Sequence, residues 1–288
     1  MFARAAGRRL YFELRGDEAK PTLVLIRGLG RNALHWGELV SRLERSFYLL
    51  LFDNRGVGRS DRVARPFSVT DLADDVAEVM DAAKVARAHV LGTSLGGMVA
   101  MRFAIEHGPR LDRLVLVSTT PGGRAAAPPK ARAFARMAIA RLGSLRDAMR
   151  TDARFVLGES FAGTHPAVLD EWQDIAERYP VSRRALVFQA LAARLHDASR
   201  ELDAITAPTL VLSCRDDKLV PAENSRLLAR GIRGSELTYF DGDSHELGAT
   251  HLEPFAGRVE EFLLAPVVRS HAAKDEGSRS RAARIGST

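Results

Sequence analysis

The chain has 288 residues, 46% hydrophobic and 27% charged, a balance that fits a folded globular protein and excludes a low-complexity one. A formal net charge of +6 raises nucleic acid as a partner, but the arginines are scattered from end to end without an aromatic and basic stripe, so none is expected. The single cysteine, Cys214, excludes a disulfide framework, and no run approaches the roughly 18–20 apolar residues needed to span a bilayer.

The opening "MFARAAGRRLYFELRG" has no long apolar stretch and no cleavage-like site, so no leader is expected and the cytoplasm is the expected location. Inside it, "RRLYFELRG" alternates polar and apolar residues, as an outer strand of a hairpin does. Then come near-continuous apolar runs of strand length: "TLVLI" (22–26), "FYLLLF" (47–52), "AHVLG" (88–92), "RLVLVS" (113–118) and "TLVLS" (209–213). Such runs suit parallel strands covered on both faces. Between them lie helix signals. "SVTD" from Ser68 offers a capping box, after which Leu72, Val76, Val79, Met80 and Ala83 share one helical face. "ELTYF" (236–240) predicts a late strand and "HLEPFAGRVEEFLL" a closing helix. Strand alternating with helix predicts an α/β protein with a doubly wound, mostly parallel sheet.

The alternation breaks once. From Gly122 to Ala204 the text is helix-forming, rich in Ala, Arg and Leu, which predicts a helical insertion (122–204) between two parts of one sheet domain (1–121 and 205–265). Residues 266–288 lose apolar periodicity and gain Ser, Gly and Arg, which predicts a disordered basic tail.

"HVLGTSLGGMVA" (89–100) leaves a strand, turns tightly between glycines and opens a helix. A phosphate loop would need a Lys after its last Gly, and a dinucleotide turn would need G-x-G-x-x-G in the first βα unit. "GTSLGG" has neither. It matches G-x-S-x-G, in which glycines two residues either side leave room for a serine on a strained strand-to-helix turn. A serine hydroxyl is a weak nucleophile and needs a base oriented by a third group, in the chain order Ser, acid, His. "TLVLSCRDDKLVP" ends a strand with acids, and "FDGDSHELG" places His245 in the loop after the next strand. His107, His196, His251 and His271 sit on helical or tail text and are expected on solvated faces; His89 is expected in the core or at its edge. His35 and His165 stay undecided.

Taken in order, "LIRGLGRNALHW", "FDNRGVGRSD", "VLGTSLGGMVA", "RLVLVSTTPGG", "PTLVLSCRDDKLVP" and "DGDSH" resemble the α/β-hydrolase fold family, in its serine esterase, enol-lactonase and peroxidase-like branch, over residues 8 to 265. The resemblance implies an α/β-hydrolase fold whose insertion is a helical cap over the site. It implies Ser94 as nucleophile and His245 as general base. The register D-x-x-V-P selects Asp217 rather than Asp216 as the acid that orients the histidine, and Asp243 is expected to form a turn. Backbone N–H groups of Leu29 and Leu95 would make the oxyanion hole; Asp53 and Arg55 would fix loops. Arg27 departs from the family, standing where histidine is usual. It is expected either to pair with a carboxylate such as Asp53 and prop its loop, or to recognise acidic substrates. Trp172, Tyr179 and Phe188 are expected to be core more than pocket lining.

The implied reaction is hydrolysis of a small-molecule carboxylic ester or lactone through an acyl-enzyme, with no cofactor and no metal. Perhydrolysis or carbon–carbon bond hydrolysis on the same three residues, or ligand binding without turnover, are the alternatives.

Overall fold

The computed structural model of the chain describes residues 1–5, 7–129 and 145–266. The tail expected from residue 266 therefore lies, beyond Pro266, outside the described residues.

Eight strands form one sheet. A hairpin of β1 (Phe2–Ala5) and β2 (Arg8–Arg15) leads in, followed by β3 (Thr22–Ile26), β4 (Tyr48–Phe52), β5 (Ala88–Thr93), β6 (Leu111–Val117), β7 (Thr209–Cys214) and β8 (Glu236–Phe240). Their order across the sheet is β1-β2-β4-β3-β5-β6-β7-β8. The β1/β2 and β2/β4 pairs are antiparallel and every later pair is parallel.

The apolar runs are continuous because both faces are covered. Successive strand side chains point to opposite faces. Val24, Ile26, Leu50, Val90, Leu114 and Leu116 face one core with Leu72 and Val76 of α2 (Val69–Ala82) and Val99 and Phe103 of α3 (Leu95–Glu106). Leu23, Leu25, Leu49, Leu51, Leu91, Val115 and Leu212 face the other, with Leu39 and Leu43 of α1 (Glu38–Leu43). Each such side chain, fully buried, contributes about 1.5–3 kcal/mol. The capping box predicted at Ser68 is formed: Ser68 Oγ accepts the Asp71 N–H at 3.1 Å, and the Asp71 carboxylate accepts the Ser68 N–H at 2.7 Å.

Between β6 and β7 the chain leaves the sheet. The described part of this insertion contains α4 (Leu145–Leu157), α5 (Glu159–Thr164), α6 (Pro166–Arg178) and α7 (Arg183–Leu195). Its two ends meet, since the Ala198 N–H donates to Pro121 O at 2.8 Å and the Gly123 N–H to His196 O at 3.2 Å. This closure corrects one expectation. His196 was expected on a solvated face, but the returning chain buries it to 6% exposure, and desolvation pushes its imidazole down to about 4. Val156, Leu157, Ala162, Leu169 and Trp172 form a small core of their own, which Leu219 and Ala249 join from the sheet side.

The chain then completes the sheet with β7, α8 (Glu223–Gly231) and β8, and ends with α9 (Leu247–Thr250) and α10 (Leu252–Leu264), whose Phe255 and Val259 pack against Leu39 and its neighbours in the second core. No described helix is long and apolar enough to cross a membrane. Because β3, β5, β6, β7 and β8 run parallel, the loops that follow them emerge along one edge of the sheet, where ligands of open α/β sheets bind.

Candidate active site

Ser94 stands between β5 and α3 at φ 56° and ψ −121°, a conformation L-residues rarely adopt and one that costs about 1–3 kcal/mol. Four bonds hold it there. The Ser94 N–H donates to Val117 O at 2.9 Å, its carbonyl accepts the Gly97 and Met98 N–H groups at 2.9 and 3.2 Å, and Thr119 Oγ1 donates to the same carbonyl at 2.7 Å. The neighbouring glycines are steric necessities. A Cβ at Gly92 would stand 2.2 Å from Gly96 O, and one at Gly96 would stand 2.1 Å from Ile26 O.

The loop after β3 runs against this turn. A Cβ at Gly28 would lie 3.1 Å from the Ser94 Cβ, so the backbone of residue 28 approaches as closely as glycine permits. Several groups pin the loop. Asp53 Oδ1 accepts the Ala33 N–H at 2.8 Å, Asn54 Nδ2 donates to Arg27 O at 3.1 Å, and the Gly30 N–H donates to Gln189 Oε1 on α7 at 2.8 Å. The next N–H, that of Leu29, finds no acceptor among the described residues. Leu95 begins α3 with no side-chain cap, so its N–H too has no acceptor among the described residues. Two unspent backbone donors thus flank Ser94, one of them at the positive end of a helix dipole.

The two neighbouring acids differ in burial and in partners. Asp216 is exposed, while Asp217 is 1% exposed. Asp217 Oδ1 accepts the N–H groups of Leu219 and Val220 at 2.8 and 3.0 Å, and Oδ2 accepts the Nδ1–H of His245 at 2.8 Å. Asp243 is spent on Lys218 at 2.5 Å. Burial pulls the His245 imidazole down, but the Asp217 charge and hydrogen bond more than offset it, and the group stands above its ordinary value. Its other nitrogen, Nε2, is buried without a hydrogen-bond partner among the described residues. The structure therefore joins Asp217 to His245 and brings Ser94, Leu29 and Leu95 together. Ser94 Oγ and His245 Nε2 lie on the same sheet edge with no hydrogen bond between them.

Arg27 pairs with a carboxylate, as the first of its two expected roles has it, but the partner is not Asp53, which is occupied by Arg59 at 2.8 Å. Both terminal nitrogens of Arg27 instead donate to the two carboxylate oxygens of Glu246, at 3.0 and 3.1 Å, and both side chains are buried. Both terminal nitrogens are thus engaged by Glu246, and among the described residues only Nε is left without a partner. The guanidinium lies 4.5 Å from the Trp36 ring centroid, and Arg31, bonded to Asp152, lies 4.6 Å from that of Trp172. Glu246 and Gln189 are the residues that sequence reasoning missed. The available signal was an acid directly after the histidine in "SHELG" and a departure at Arg27, too far apart in the chain to be connected. Arg55 fixes structure as expected, bonded to Asp75 at 2.7 Å. Trp172 is buried and His35, left undecided, is buried beside it at 5.5 Å between ring centroids; His165 is exposed. Away from this edge, Asp74, Glu106 and His107 could each turn one ligand atom toward a cation, but Asp74 already bonds His107 at 3.0 Å.

These features define a hydrolase of the α/β fold, and the chain belongs to the α/β hydrolase fold family, whose model matches residues 21–251. Among its relatives is the RutD protein of Variovorax paradoxus (strain S110), provisionally named a carbamate hydrolase, which is 31% identical over 260 residues, 88% of this chain and 96% of that one. Among solved structures, a hydrolase from Pseudomonas aeruginosa PA01 is 28% identical with a TM-score of 0.80, covering 92% of this chain and 98% of its own. The enol-lactonase from Burkholderia xenovorans LB400 is 25% identical with a TM-score of 0.82, covering 92% of this chain and all of its own (100%).

Proposed function

We propose that this hydrolase cleaves a small carboxylic ester or lactone through an acyl-enzyme on Ser94, His245 and Asp217. One observation carries the reading: a buried histidine, bonded to a buried aspartate through Nδ1, leaves Nε2 free on the edge where a strained serine turns out of the sheet. The missing Ser94–His245 hydrogen bond is compatible with this role, because catalytic bonds are often loose before substrate binds.

Ser94 Oγ attacks the carbonyl carbon as its proton passes to His245 Nε2. The imidazolium so formed is stabilised by Asp217, which keeps its own charge. The negative oxygen of the tetrahedral intermediate takes hydrogen bonds from the N–H groups of Leu29 and Leu95. Collapse breaks the bond to the alcohol, which leaves with the proton from His245. Water, deprotonated by the same nitrogen, then releases the acid and restores Ser94. In a lactone the alcohol stays tethered to the acyl group. A carbamate carbonyl would enter the same sequence, and the name of the Variovorax relative is the reason to test one.

The helices of 122–204 are read as a cap over a core of 1–121 and 205–265. Two bonds support this: Gln189 takes an N–H from the Leu29 loop, and Val156 O accepts the His245 N–H at 2.8 Å. The test is covalent labelling by a fluorophosphonate beside a panel of p-nitrophenyl esters, lactones and carbamates. Wild type should label. Ser94→Ala should not, and should lose turnover by on the order of 10⁴–10⁶. Retention of more than a few per cent of activity in that variant would remove Ser94 as nucleophile.

A further inference from the structure

The ion pair of Arg27 and Glu246 joins the two halves of the site. Arg27 directly follows β3 and stands two residues before Leu29; Glu246 directly follows His245. The bond is bidentate, at 3.0 and 3.1 Å, between side chains 3% and 8% exposed. A fork-to-fork contact fixes relative orientation as well as distance. The guanidinium is held on its other side by the Trp36 ring, and the backbone carbonyl of Arg27 by Asn54. Neither charge can turn to water.

A pair so placed faces a choice of roles. Buried ion pairs stabilise folds weakly, since desolvation offsets attraction, and an apolar pair of equal volume often does as well. Stability alone is thus a poor reason for this one. Its position offers a better reason. We infer that Arg27 and Glu246 are positioning residues, which lock the loop of the Leu29 N–H to the loop of His245 and keep their own charges mutually cancelled beside the imidazole. The inference rests on the proposed roles of His245 and Leu29.

The cancellation is specific because few other charges reach His245. Asp217 faces it from the loop after β7 and is bonded to it. On its own loop Asp243 is neutralised by Lys218, and from the neighbouring α4 it meets the Val156 carbonyl, while Asp152 of that helix is spent on Arg31. Glu246 favours the imidazolium and Arg27 disfavours it. Removing the glutamate charge leaves a guanidinium that cannot shed its own. Glu246→Gln should therefore lower the pH at which His245 takes its proton.

The readout is the pH dependence of the rate of fluorophosphonate labelling, which needs no knowledge of the substrate. In Glu246→Gln the acid limb should move down by about one pH unit, and the plateau should fall about 10-fold through loosened geometry. In the double variant Arg27→Met/Glu246→Gln, the limb should return to its wild-type position while the plateau stays low. A limb that does not move in Glu246→Gln, with only the melting temperature reduced, overturns the proposal. Should that variant fail to fold, Glu246→Asp keeps the charge and shortens the arm: the limb should stay in place and the plateau fall, and an unchanged plateau overturns the proposal. Labelling that survives both Ser94→Ala and His245→Ala would instead remove the roles on which the inference rests.

Discussion

Replacing Asp217 by asparagine tests the proposed chemistry with almost no change of shape. In the wild type, Oδ1 accepts two backbone N–H groups, from Leu219 at 2.8 Å and Val220 at 3.0 Å, while Oδ2 accepts the His245 Nδ1–H at 2.8 Å. An asparagine can present only one oxygen. Two backbone donors, each bond worth about 1 kcal/mol net, hold that oxygen at the Oδ1 position and turn the amide NH₂ toward His245. Nδ1 must then accept, so the ring proton moves to Nε2, the atom required to take the proton of Ser94. The histidine remains present in the wrong tautomer and loses the charge that stabilises its protonated form. A loss of about 10²- to 10⁴-fold in kcat is expected, about 3–5 kcal/mol of barrier. Asp216→Asn is the control, because the exposed Asp216 side chain should leave the rate within about a factor of two, as surface changes usually do. Hydrolysis of p-nitrophenyl butyrate by both variants, with melting temperatures to show that each is folded, decides the matter. Equal losses, or a larger loss at Asp216, would refute the assignment of the orienting acid.

Two further outcomes follow from buried groups. His196 is held near 4 by burial, whereas in the unfolded chain it titrates near about 6.5. Between those values the unfolded state binds the extra proton, so its contribution to stability is present above about pH 6.5 and is lost as the pH falls toward 4, by up to about 3 kcal/mol. Urea unfolding at pH 7 and at pH 5 should show that loss in wild type and a smaller one in His196→Leu; an equal loss would show that other groups carry the acid sensitivity. Gly96→Ala puts a methyl 2.1 Å from Ile26 O and 2.8 Å from Arg27 O, both backbone atoms that cannot swing aside. The loop should be pushed from Ser94, with kcat down about 100-fold and the melting temperature lower; near wild-type turnover would show that the loop does not set the geometry.

How far the sequence discloses this molecule depends on the range of the interactions involved. The strands are legible because double-sided burial writes itself as unbroken apolar runs, and α2 because its cap closes within four residues. The turn at Ser94 is legible because its backbone shape excludes a Cβ at positions 92 and 96. Asp217 is marked by a family register, and locally its carboxylate reaches forward to the N–H groups two and three residues on. The partner of Arg27 had no local signature. Glu246 lies 219 residues away, and Asp53, the partner suggested from the sequence, was already committed to Arg59 and Ala33. His196 illustrates the same limit, since helical text places it at a surface that only the returning chain covers. Gln189 and Val156 were equally hidden, one as an internal helix position and the other as a carbonyl.

Those two residues carry a consequence for anyone who would remodel specificity by exchanging the helices between β6 and β7. The segment above the sheet supplies an amide oxygen to the Gly30 N–H and a main-chain oxygen to the His245 N–H. A transplanted segment would need to bring both acceptors to the same two points, or leave the part-buried Gly30 N–H and the buried His245 N–H without them, the buried one at about 1–3 kcal/mol. Any exchange of these helices is therefore constrained at two atoms that belong to the loops beside Ser94 and at His245.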